Sequence, residues 1–424
     1  MIKERIPDHI YRFDYNIVKN AKNIEDVVSK LPVTTSKYYI ENIDHYNKWI
    51  IERQDFVNAI VLSSGTTGTP KIFTYTVYDA YRNMLIVLRS VRYLYKDIDL
   101  FKSIFIVEFA TAYPGASTVL TTSITSLGKI PVIPTFLKDN VDNIFRYLKK
   151  FFKDQDKILL GYTTQLLYVT PKKFKELKPC DVGFSVVVAT GEPVTSGAYN
   201  KLQEIYCPKY VVGIYGTTET RINGIDDGKG NYYIYSDRTL IGVLRDDGTI
   251  GVDGEGELII TPLYVKGEIP GTILPMYRIG DRARVKYEDG MYIVKDISRA
   301  GDELQIAAAN FNPIVMGSLI ERELIRNGFR EVEVLFVLKR DPLTGLIRVV
   351  DVNVIAKDAD KRLITSVVRE VLGKYSEVLV VSEAGLIELN ISVHDNEEEL
   401  LDRYAGFKPF SYHKGKKYII IDQK

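Results

Sequence analysis

The chain has 424 residues, of which 46% are hydrophobic and 26% are charged, and its formal net charge is +1. This length predicts two or three domains with a large apolar core, and the near-neutral charge argues against a dedicated nucleic-acid binder. Two cysteines, Cys180 and Cys207, are too few for a disulfide framework or a tetrahedral zinc site, so we expect structural thiols.

No apolar run approaches the roughly 20 residues that a membrane-spanning helix needs. The first residues also lack the apolar core of a signal peptide. We therefore expect a cytoplasmic protein with no membrane partner and no nucleic-acid partner.

The first half of the chain predicts an α/β architecture. Residues 1–50 are polar and helical in pattern, and strands alternate with helices from Ile60 onward, which is typical of α/β proteins. Strands are predicted over 103–108, 130–133, 157–160, 184–189 and 210–215, and helices over 141–152 and 195–205. The continuous apolar run at 184–189 indicates a strand buried on both faces of a parallel sheet.

The second half predicts two further parts. After Gly224, short strands alternate with Gly/Asp turns, which predicts an antiparallel, barrel-like β part over about 225–297. A separate α+β unit follows, with helices predicted over 315–326 and 361–373 and strands over 331–339, 347–356 and 377–382. The predicted fold is α/β, with a large N-terminal domain over 1–297 and a small, mobile α+β lid domain over 298–424.

The segment Ser63-Ser64-Gly65-Thr66-Thr67-Gly68-Thr69-Pro70-Lys71 lies between two predicted strands. Glycines allow a left-handed backbone and close approach to a ligand, while the hydroxyls and the lysine suit an anion. The pattern predicts a polyphosphate cradle. It is not a Walker loop, because Pro70 separates the glycine from Lys71. An ordinary loop between strands is the alternative.

Two further clusters follow predicted strands. Gly191-Glu192-Pro193 comes after the buried strand, and loops at the carboxyl ends of parallel strands bind ligands in open α/β sheets. Tyr215-Gly216-Thr217-Thr218-Glu219 combines an aromatic ring, which can stack on a base, with hydroxyls and a carboxylate that suit Mg²⁺ held with phosphates. A plain turn and an exposed loop glutamate are the alternatives.

Two more clusters lie in the second half. In Tyr277-Arg278-Ile279-Gly280-Asp281, the acidic residue could accept hydrogen bonds from ribose hydroxyls. Arg299-Ala300-Gly301-Asp302 lies at the predicted domain boundary, where a plain linker is the alternative.

In this order, SSGTTGTPK, GEP, YGTTE, YRIGD and RAGD resemble the motifs of the acyl-adenylate-forming superfamily over nearly the whole chain. The branch that the chain resembles most is the phenylacetate-CoA ligase type, through LPVTTSKYYIEN, GEGELIITPL and Leu304, Asn310 and Pro313. The resemblance implies that a small carboxylic acid attacks the α-phosphate of ATP and that coenzyme A then displaces AMP. It also implies Mg²⁺ as a cofactor.

Carried over by position, the resemblance assigns roles to individual residues. It places on the β- and γ-phosphates Ser64, Gly65, Thr66, Thr67, Gly68 and Lys71. It places around adenine Gly191, Glu192, Pro193 and Tyr215, with Gly216 and Thr217 in the same ATP site. It puts Thr218 at the α-phosphate, Glu219 on Mg²⁺, and Asp281 on the ribose hydroxyls with Arg299 beside it.

The last catalytic group that the resemblance implies is a lysine near the C-terminus. Gly415-Lys416 before a final strand fits best, with Lys414 and Lys417 as competitors and a basic, solubilising tail as the alternative. Gly301 occupies the hinge position, where Asp or Lys is usual, and glycine is tolerated at a backbone pivot.

The acid and the acceptor are less well specified. Ala308 stands where members that use coenzyme A usually carry a tunnel-lining glycine. The acyl pocket is assigned by position to Tyr113, Ala189, Gly213 and Ile214, whose apolar character suits an aromatic or medium aliphatic acid. Two alternatives stay open: an adenylating enzyme with an amine, hydroxyl or carrier-protein acceptor, and a non-catalytic nucleotide-binding relative. A homodimer is the default oligomeric expectation.

Overall fold

The structure is a computed structural model. It describes residues 20–44, 54–62, 71–108, 132–134, 141–265, 267–272, 274–301, 303–405 and 417–422. No helix in these ranges has both the length and the apolar character that a membrane crossing requires.

The N-terminal part contains six α-helices within the described ranges. They are α1 (Ile24–Lys30), α2 (Ser36–Glu41), α3 (Val77–Leu94), α4 (Asp142–Phe151), α5 (Thr163–Tyr168) and α6 (Ser196–Tyr206). The longest, α3, begins with a capping box, in which the Asp79 carboxylate accepts a 2.7 Å hydrogen bond from the Thr76 main-chain N–H. This box fixes where α3 starts and brings Asp79 into the protein interior.

The described strands of this part form a small hairpin and one long sheet. The hairpin pairs β1 (Val57–Leu62) with β2 (Ile72–Thr76), so the predicted anion loop does connect two strands. The parallel strands of the long sheet are β3 (Ile104–Glu108), β4 (Val132–Pro134), β5 (Lys157–Tyr162), β6 (Val186–Thr190) and β7 (Tyr210–Thr217).

The long sheet continues without interruption into antiparallel strands. These are β8 (Arg221–Asp226), β9 (Tyr232–Tyr235), β10 (Thr239–Leu244), β11 (Ile250–Gly251), β12 (Gly254–Pro262), β13 (Tyr277–Glu288) and β14 (Met291–Arg299). The strand order is β11-β10-β12-β13-β14-β9-β8-β7-β6-β5-β3-β4. The expected run of short antiparallel strands is confirmed. No pairing between the described strands closes them into a barrel, because β11 and β4 are the two edges of one open sheet.

The C-terminal part begins with a short hairpin of β15 (Leu304–Ile306) and β16 (Ala309–Phe311). Its four-stranded sheet has the order β19-β18-β17-β20 and consists of β17 (Glu333–Arg340), β18 (Ile347–Ile355), β19 (Glu388–His394) and β20 (Tyr418–Asp422). The helices are α7 (Pro313–Arg326), α8 (Lys361–Tyr375), α9 (Val378–Glu383) and α10 (Glu397–Tyr404). The apolar core lies between the sheet and α7, α8 and α9.

Two expectations are wrong. The segment 377–382 is not a strand but α9, because Val378 and Val381 are buried three residues apart on one helical face. Cys180 and Cys207 are not free thiols but form a disulfide, with their Cα atoms 5.0 Å apart. The bridge ties the C-terminal end of α6 to the loop before β6, and a sequence separation of 27 gave no sign of this proximity.

Candidate active site

The loop after β6 needs glycine at its first position. Gly191 has φ 85°, and a Cβ atom there would lie 2.4 Å from Cδ1 of Tyr162 and 2.9 Å from Cβ of Ala308. Its carbonyl oxygen accepts a 2.5 Å hydrogen bond from the Gln305 side chain in the C-terminal hairpin. The loop that was predicted from Gly191-Glu192-Pro193 therefore lies between the long sheet and the hairpin that follows the boundary.

Glu192 anchors this loop to α5. Its carboxylate is buried and accepts a 2.6 Å hydrogen bond from the main-chain N–H of Thr164. Burial raises the pKa of Glu192 above its usual value, against the opposing effect of the bond from Thr164. The side chain therefore fixes the loop to α5, and Pro193 follows it before α6.

The turn between β7 and β8 contains the predicted phosphate and metal residues. A register shift falls between Tyr215 and Gly216, and a Cβ at Gly216 would lie 2.5 Å from the carbonyl oxygen of Arg221. The Thr217 hydroxyl accepts a 3.1 Å bond from the Thr220 N–H, and the Tyr75 hydroxyl donates to the carbonyl oxygen of Thr218. These contacts fix the backbone on both sides of Glu219.

Lys71 and Glu219 form an ion pair at this turn. Lys71 Nζ lies 2.6 Å from Glu219 Oε1 and 3.0 Å from the Tyr277 hydroxyl, and both charged side chains are about six-sevenths buried. Burial lowers the pKa of Lys71, but the attraction of Glu219 outweighs it and the pKa is raised overall. Burial likewise raises the pKa of Glu219, and Lys71 outweighs that effect and lowers it. Both groups are therefore charged at neutral pH.

The connector LPVTTSKYYIEN is attached to this cluster. The Tyr277 hydroxyl donates to the Ser36 hydroxyl at 3.2 Å, and Thr34 exchanges main-chain hydrogen bonds with the residues on either side of Tyr277. The connector therefore holds Tyr277, the partner of Lys71, from behind. The sequence analysis quoted both segments but did not predict their contact.

A layer of buried charges lies beneath the turn. Arg221 forms an ion pair with Asp79, and its guanidinium lies 4.7 Å from the centre of the Tyr75 ring. Arg82 is fully buried and donates to the carbonyl oxygens of Arg238, Leu263 and Ile222 and to the Thr239 hydroxyl. Burial lowers the pKa of Arg82 to about 10, which leaves it charged at neutral pH.

Sequence reasoning missed this layer. The capping-box pattern Thr76 to Asp79 was a usable signal for the start of α3, but nothing local indicated that Asp79 also meets Arg221. That arginine has φ 67°, an uncommon conformation for a residue with a side chain, immediately after the Glu219 turn.

Asp281, Tyr215 and Arg299 lie in contact with one another. The Tyr215 hydroxyl donates to Asp281 Oδ2 at 2.9 Å, and Arg299 Nη1 lies 3.0 Å from Asp281 Oδ1. Arg299 also donates to the Ile279 carbonyl oxygen at 3.2 Å and to the Asn310 side chain. Burial raises the pKa of Asp281, and Arg299 opposes this shift. Three separate motifs thus share one buried network.

The boundary contains two left-handed turns. Gly301 has φ 72°, and a Cβ there would have no neighbour within 4 Å. Ala307 and Ala308 have φ values of 49° and 70° at the tip of the β15–β16 hairpin. Ala308 packs with the apolar cluster of the long sheet that includes Tyr162. The hairpin tip therefore touches the loop after β6.

The described residues that the resemblance assigns to an acyl pocket lie on two faces of the long sheet. Ala189 is fully buried in the cluster beneath α6, whereas Ile214 packs in the cluster on the other face. A Cβ at Gly213 would lie 2.7 Å from the Tyr232 hydroxyl and 3.0 Å from the Tyr199 hydroxyl.

Several predicted residues lie outside the described ranges. They are Ser64, Gly65, Thr66, Thr67, Gly68, Tyr113, Lys414 and Lys416. The third candidate lysine, Lys417, is described and forms a partly buried ion pair with Glu321 of α7. That pairing ties Lys417 to the C-terminal core.

Within the described ranges, no three His, Cys, Asp or Glu side chains come together as a metal site. Glu219 and the Thr218 hydroxyl are nevertheless hard oxygen donors of the kind that Mg²⁺ prefers. A cation at this turn would therefore take most of its ligands from phosphates and water.

No family model matches the sequence, and no curated protein matches it. Solved structures do match over most of the chain. The structure of 2-hydroxyisobutyryl-CoA ligase with 2-HIB-AMP and CoA in the thioesterification state has a TM-score of 0.68 at 14% identity, covering 98% of this chain and 84% of the other. The same ligase in the postadenylation state and in an open conformation gives 0.55 in each case.

Two other solved structures are also similar to this chain over most of its length. An NRPS protein containing adenylation and PCP domains has a TM-score of 0.53 at 17% identity, covering 84% of this chain and 70% of the other. Malonyl-CoA ligase in a ternary product complex with methylmalonyl-CoA and AMP has a TM-score of 0.50 at 17% identity, covering 80% and 70%. The chain therefore has the fold of the acyl-adenylate-forming ligases.

Proposed function

We propose that this protein activates a carboxylic acid with ATP, releasing pyrophosphate, and then transfers the acyl group from acyl-AMP to the thiol of coenzyme A. The observation that carries the proposal is the convergence of Lys71, Glu219, Asp281, Tyr215 and Gly191 at the carboxyl ends of β6 and β7. Four separate sequence motifs supply the residues of this one edge.

In the first step, a carboxylate oxygen of the acid attacks the α-phosphorus of ATP and the bond to pyrophosphate breaks. Ser64 to Gly68 and Lys71 are the groups that we assign to the β- and γ-phosphates. Lys71 is suited to this role because it remains cationic at neutral pH. Fixed charge and positioning supply most of the catalysis in such a displacement, with little acid–base chemistry.

We assign Glu219 to a Mg²⁺ ion that arrives with the nucleotide, and Thr218 to the α-phosphate. The ion supplies charge neutralisation at the phosphate oxygens. The Lys71–Glu219 pair would then exchange partners, since Lys71 turns to phosphate and Glu219 to the cation.

The nucleoside is assigned to the neighbouring groups. Gly191, Glu192 and Pro193 form one wall for adenine and Tyr215 the other, with Gly216 and Thr217 beside them. Asp281 accepts hydrogen bonds from the ribose hydroxyls. Each oxygen of Asp281 already has one partner, and a carboxylate oxygen can accept a second bond.

In the second step, the thiol sulfur attacks the acyl carbonyl carbon, the bond to AMP breaks and the thiol proton passes to solvent. We place the enzyme in the phenylacetate-CoA ligase branch, with an aromatic or medium aliphatic acid as substrate and Gly301 as the hinge between the two steps.

A pyrophosphate-exchange screen over aryl, aliphatic and amino acids tests the first step. A suitable acid should drive exchange, and added coenzyme A should then release AMP and form a thioester. ATP binding without exchange across the whole panel would contradict the activation step, and exchange without thioester would contradict the acceptor.

The catalytic lysine is tested by a matched pair of variants. Lys416→Ala should abolish acyl-AMP formation while leaving the attack of coenzyme A on supplied acyl-AMP. Lys417→Ala should instead lower stability and spare exchange, because Lys417 is paired with Glu321. Equal loss of both half-reactions in Lys416→Ala would contradict the assignment.

One observation favours a second candidate function, in which the acceptor is an amine, a hydroxyl or a carrier protein. The Ala308 methyl group packs beside Tyr162 and Gly191. At a position where glycine is usual, this methyl group would leave less room for the thiol-bearing arm of coenzyme A. Thioester formation with coenzyme A at the same rate in the unaltered protein and in Ala308→Gly would favour coenzyme A as the natural acceptor, whereas a clear gain in Ala308→Gly would show that the methyl group obstructs coenzyme A. Exchange without any thioester in either variant would favour the second candidate.

A further inference from the structure

A tight turn joins β17 to β18 in the C-terminal part and comprises residues 341–346. We call it the docking turn. The Asp341 carboxylate accepts hydrogen bonds from the N–H groups of Leu343 and Thr344 at 2.8 and 3.1 Å, and the Asp341 carbonyl accepts from Gly345 at 2.7 Å. The turn is therefore held in shape by its own hydrogen bonds.

The docking turn lies against α5 and α6 of the N-terminal part. The Tyr168 hydroxyl, at the end of α5, donates to Asp341 Oδ2 at 2.7 Å and lies 2.7 Å from the Thr344 hydroxyl oxygen. The Thr195 hydroxyl, which caps α6, donates to the Thr344 carbonyl oxygen. Two hydroxyl groups of the N-terminal part thus make three polar contacts with this one turn.

The approach is close enough to require glycine. A Cβ atom at Gly197, in the first turn of α6, would lie 1.7 Å from the carbonyl oxygen of Leu343 and 2.8 Å from its carbonyl carbon. Real Cβ atoms do not approach backbone this closely. Leu346, at the end of the docking turn, is buried in the apolar cluster of the N-terminal part, whereas the Leu343 side chain is 73% exposed.

The contact extends to the loop after β6. The Arg348 guanidinium, two residues beyond the docking turn, lies 3.8 Å from the centre of the Tyr168 ring in α5. Glu192 fixes the loop that begins with Gly191. Helix α5 therefore contacts both the docking turn, through Tyr168, and the loop after β6, through Thr164.

We propose that the docking turn is a latch that holds the C-terminal unit in the orientation for acyl transfer, with Gly197 and Tyr168 as its positioning residues. The higher TM-score to the relative in its thioesterification state than to the same relative in two other states supports this orientation. The kinetic part of the proposal rests on the proposed function, whereas the docking contact itself does not.

Gly197→Ala is the decisive variant, because alanine is favoured over glycine in a helix and only the docked turn obstructs its methyl group. We expect pyrophosphate exchange within about twofold of the unaltered protein, and acyl transfer from supplied acyl-AMP to coenzyme A reduced by about tenfold or more. Ser196→Ala, in the same helical turn, and Leu343→Ala, in the exposed side chain, should leave both rates unchanged.

Tyr168→Phe is the second variant, since it keeps the ring under Arg348 and removes only the hydroxyl. We expect acyl transfer to fall by about fivefold to tenfold without a matching loss of exchange. Acyl transfer at the unaltered rate in both Gly197→Ala and Tyr168→Phe would overturn the latch, and so would equal loss of both half-reactions.

Hydrogen exchange separates the latch from the proposed function, because it needs no activity. In the full chain, the amides of residues 343–348 should exchange at least about tenfold faster in Gly197→Ala than in Ser196→Ala. Unchanged protection would overturn the proposal whatever the reaction. Changed protection in a protein with neither half-reaction would keep the latch and reject the proposed function.

Discussion

Two polar regions of this molecule are built in opposite ways. Beneath the Glu219 turn, Asp79, Arg82 and Arg221 are all at least 96% buried. Asp79 forms an ion pair with Arg221, and Arg82 donates to main-chain carbonyl oxygens. At the docking turn, by contrast, two hydroxyl groups of the N-terminal part donate to the Asp341 carboxylate and to the Thr344 carbonyl oxygen, and Leu343 remains exposed.

The difference teaches which contacts can be undone. Separating the buried charges would leave ions without water or partners, which is strongly unfavourable. Separating the docking turn exposes hydroxyl, carboxylate and main-chain groups that water can satisfy, so the contact can form and break. The buried layer should therefore govern stability, and the docking turn should govern the relative orientation of the two parts.

The largest effect that we expect comes from Arg82→Met. The variant removes the guanidinium that donates to the carbonyl oxygens of Arg238, Leu263 and Ile222, and we expect a loss of about 4 kcal/mol in the free energy of unfolding. Urea denaturation measures it. Arg89→Met is the matched control on the same helix, because the Arg89–Asp237 pair is nearly half exposed. A similar loss in both variants would break the distinction between buried and accessible contacts.

The disulfide gives the next largest effect. It closes a loop from Cys180 to Cys207 that contains both the Gly191 loop and the docking surface of α6. Cys207→Ser should lower the free energy of unfolding by about 3 kcal/mol, because the unfolded chain loses a constraint on a loop of this length.

Reductant provides the control for the disulfide. Thermal unfolding of the unaltered protein in reductant should match that of Cys207→Ser, and reductant should leave Cys207→Ser unchanged. Docking should persist in both cases, because Thr195 and Gly197 lie at the opposite end of α6 from Cys207. Faster amide hydrogen exchange at the docking turn in Cys207→Ser would show that the disulfide and the docking contact are coupled.

The sequence predicted the repeating parts of the fold well. The apolar run at 184–189 predicted a strand, which is observed at Val186–Thr190. The Gly/Asp turns predicted the antiparallel strands that follow. The periodic apolar pattern within one element suffices for such predictions. The strand expected at 377–382 failed because β-branched residues suit a strand locally, whereas packing of Val378 and Val381 selects a helix.

Motifs named the candidate site residues, but they did not indicate which residues support them. Tyr215, Asp281 and Arg299 were named in advance and do meet. The contacts of Arg82 and the docking of Gly197 were not predicted, since both depend on residues about 140 or more positions away in sequence. Local patterns contain no information on such pairings until the topology is known.

Asp281→Asn tests whether the network of Asp281, Tyr215 and Arg299 supports the nucleotide site or the docking turn. The change replaces an acceptor oxygen by an NH₂ group facing Arg299 or Tyr215, so a donor meets a donor. We expect a loss of about 2 kcal/mol in the free energy of unfolding and about tenfold weaker ATP binding, measured by urea denaturation and calorimetry. Both half-reactions should suffer alike. Selective loss of acyl transfer would instead assign Asp281 to the docking contacts.

Gly301→Ala should have the smallest effect and the most selective one. The present orientation gives residue 301 a φ of 72°, in a region that disfavours a side chain by about 1 kcal/mol relative to glycine. Space is not limiting, because a Cβ there has no neighbour within 4 Å. We therefore expect the docked orientation to be about fivefold less populated relative to any orientation with negative φ at residue 301. Faster amide exchange at residues 343–348, with unchanged urea stability of the long sheet, would confirm this.

Gly328→Ala is the matched control, since Gly328 also has positive φ and open space but lies after α7, away from Gly301. Equal effects of the two variants on the docking turn would mean that Gly301 has no particular part in setting the orientation.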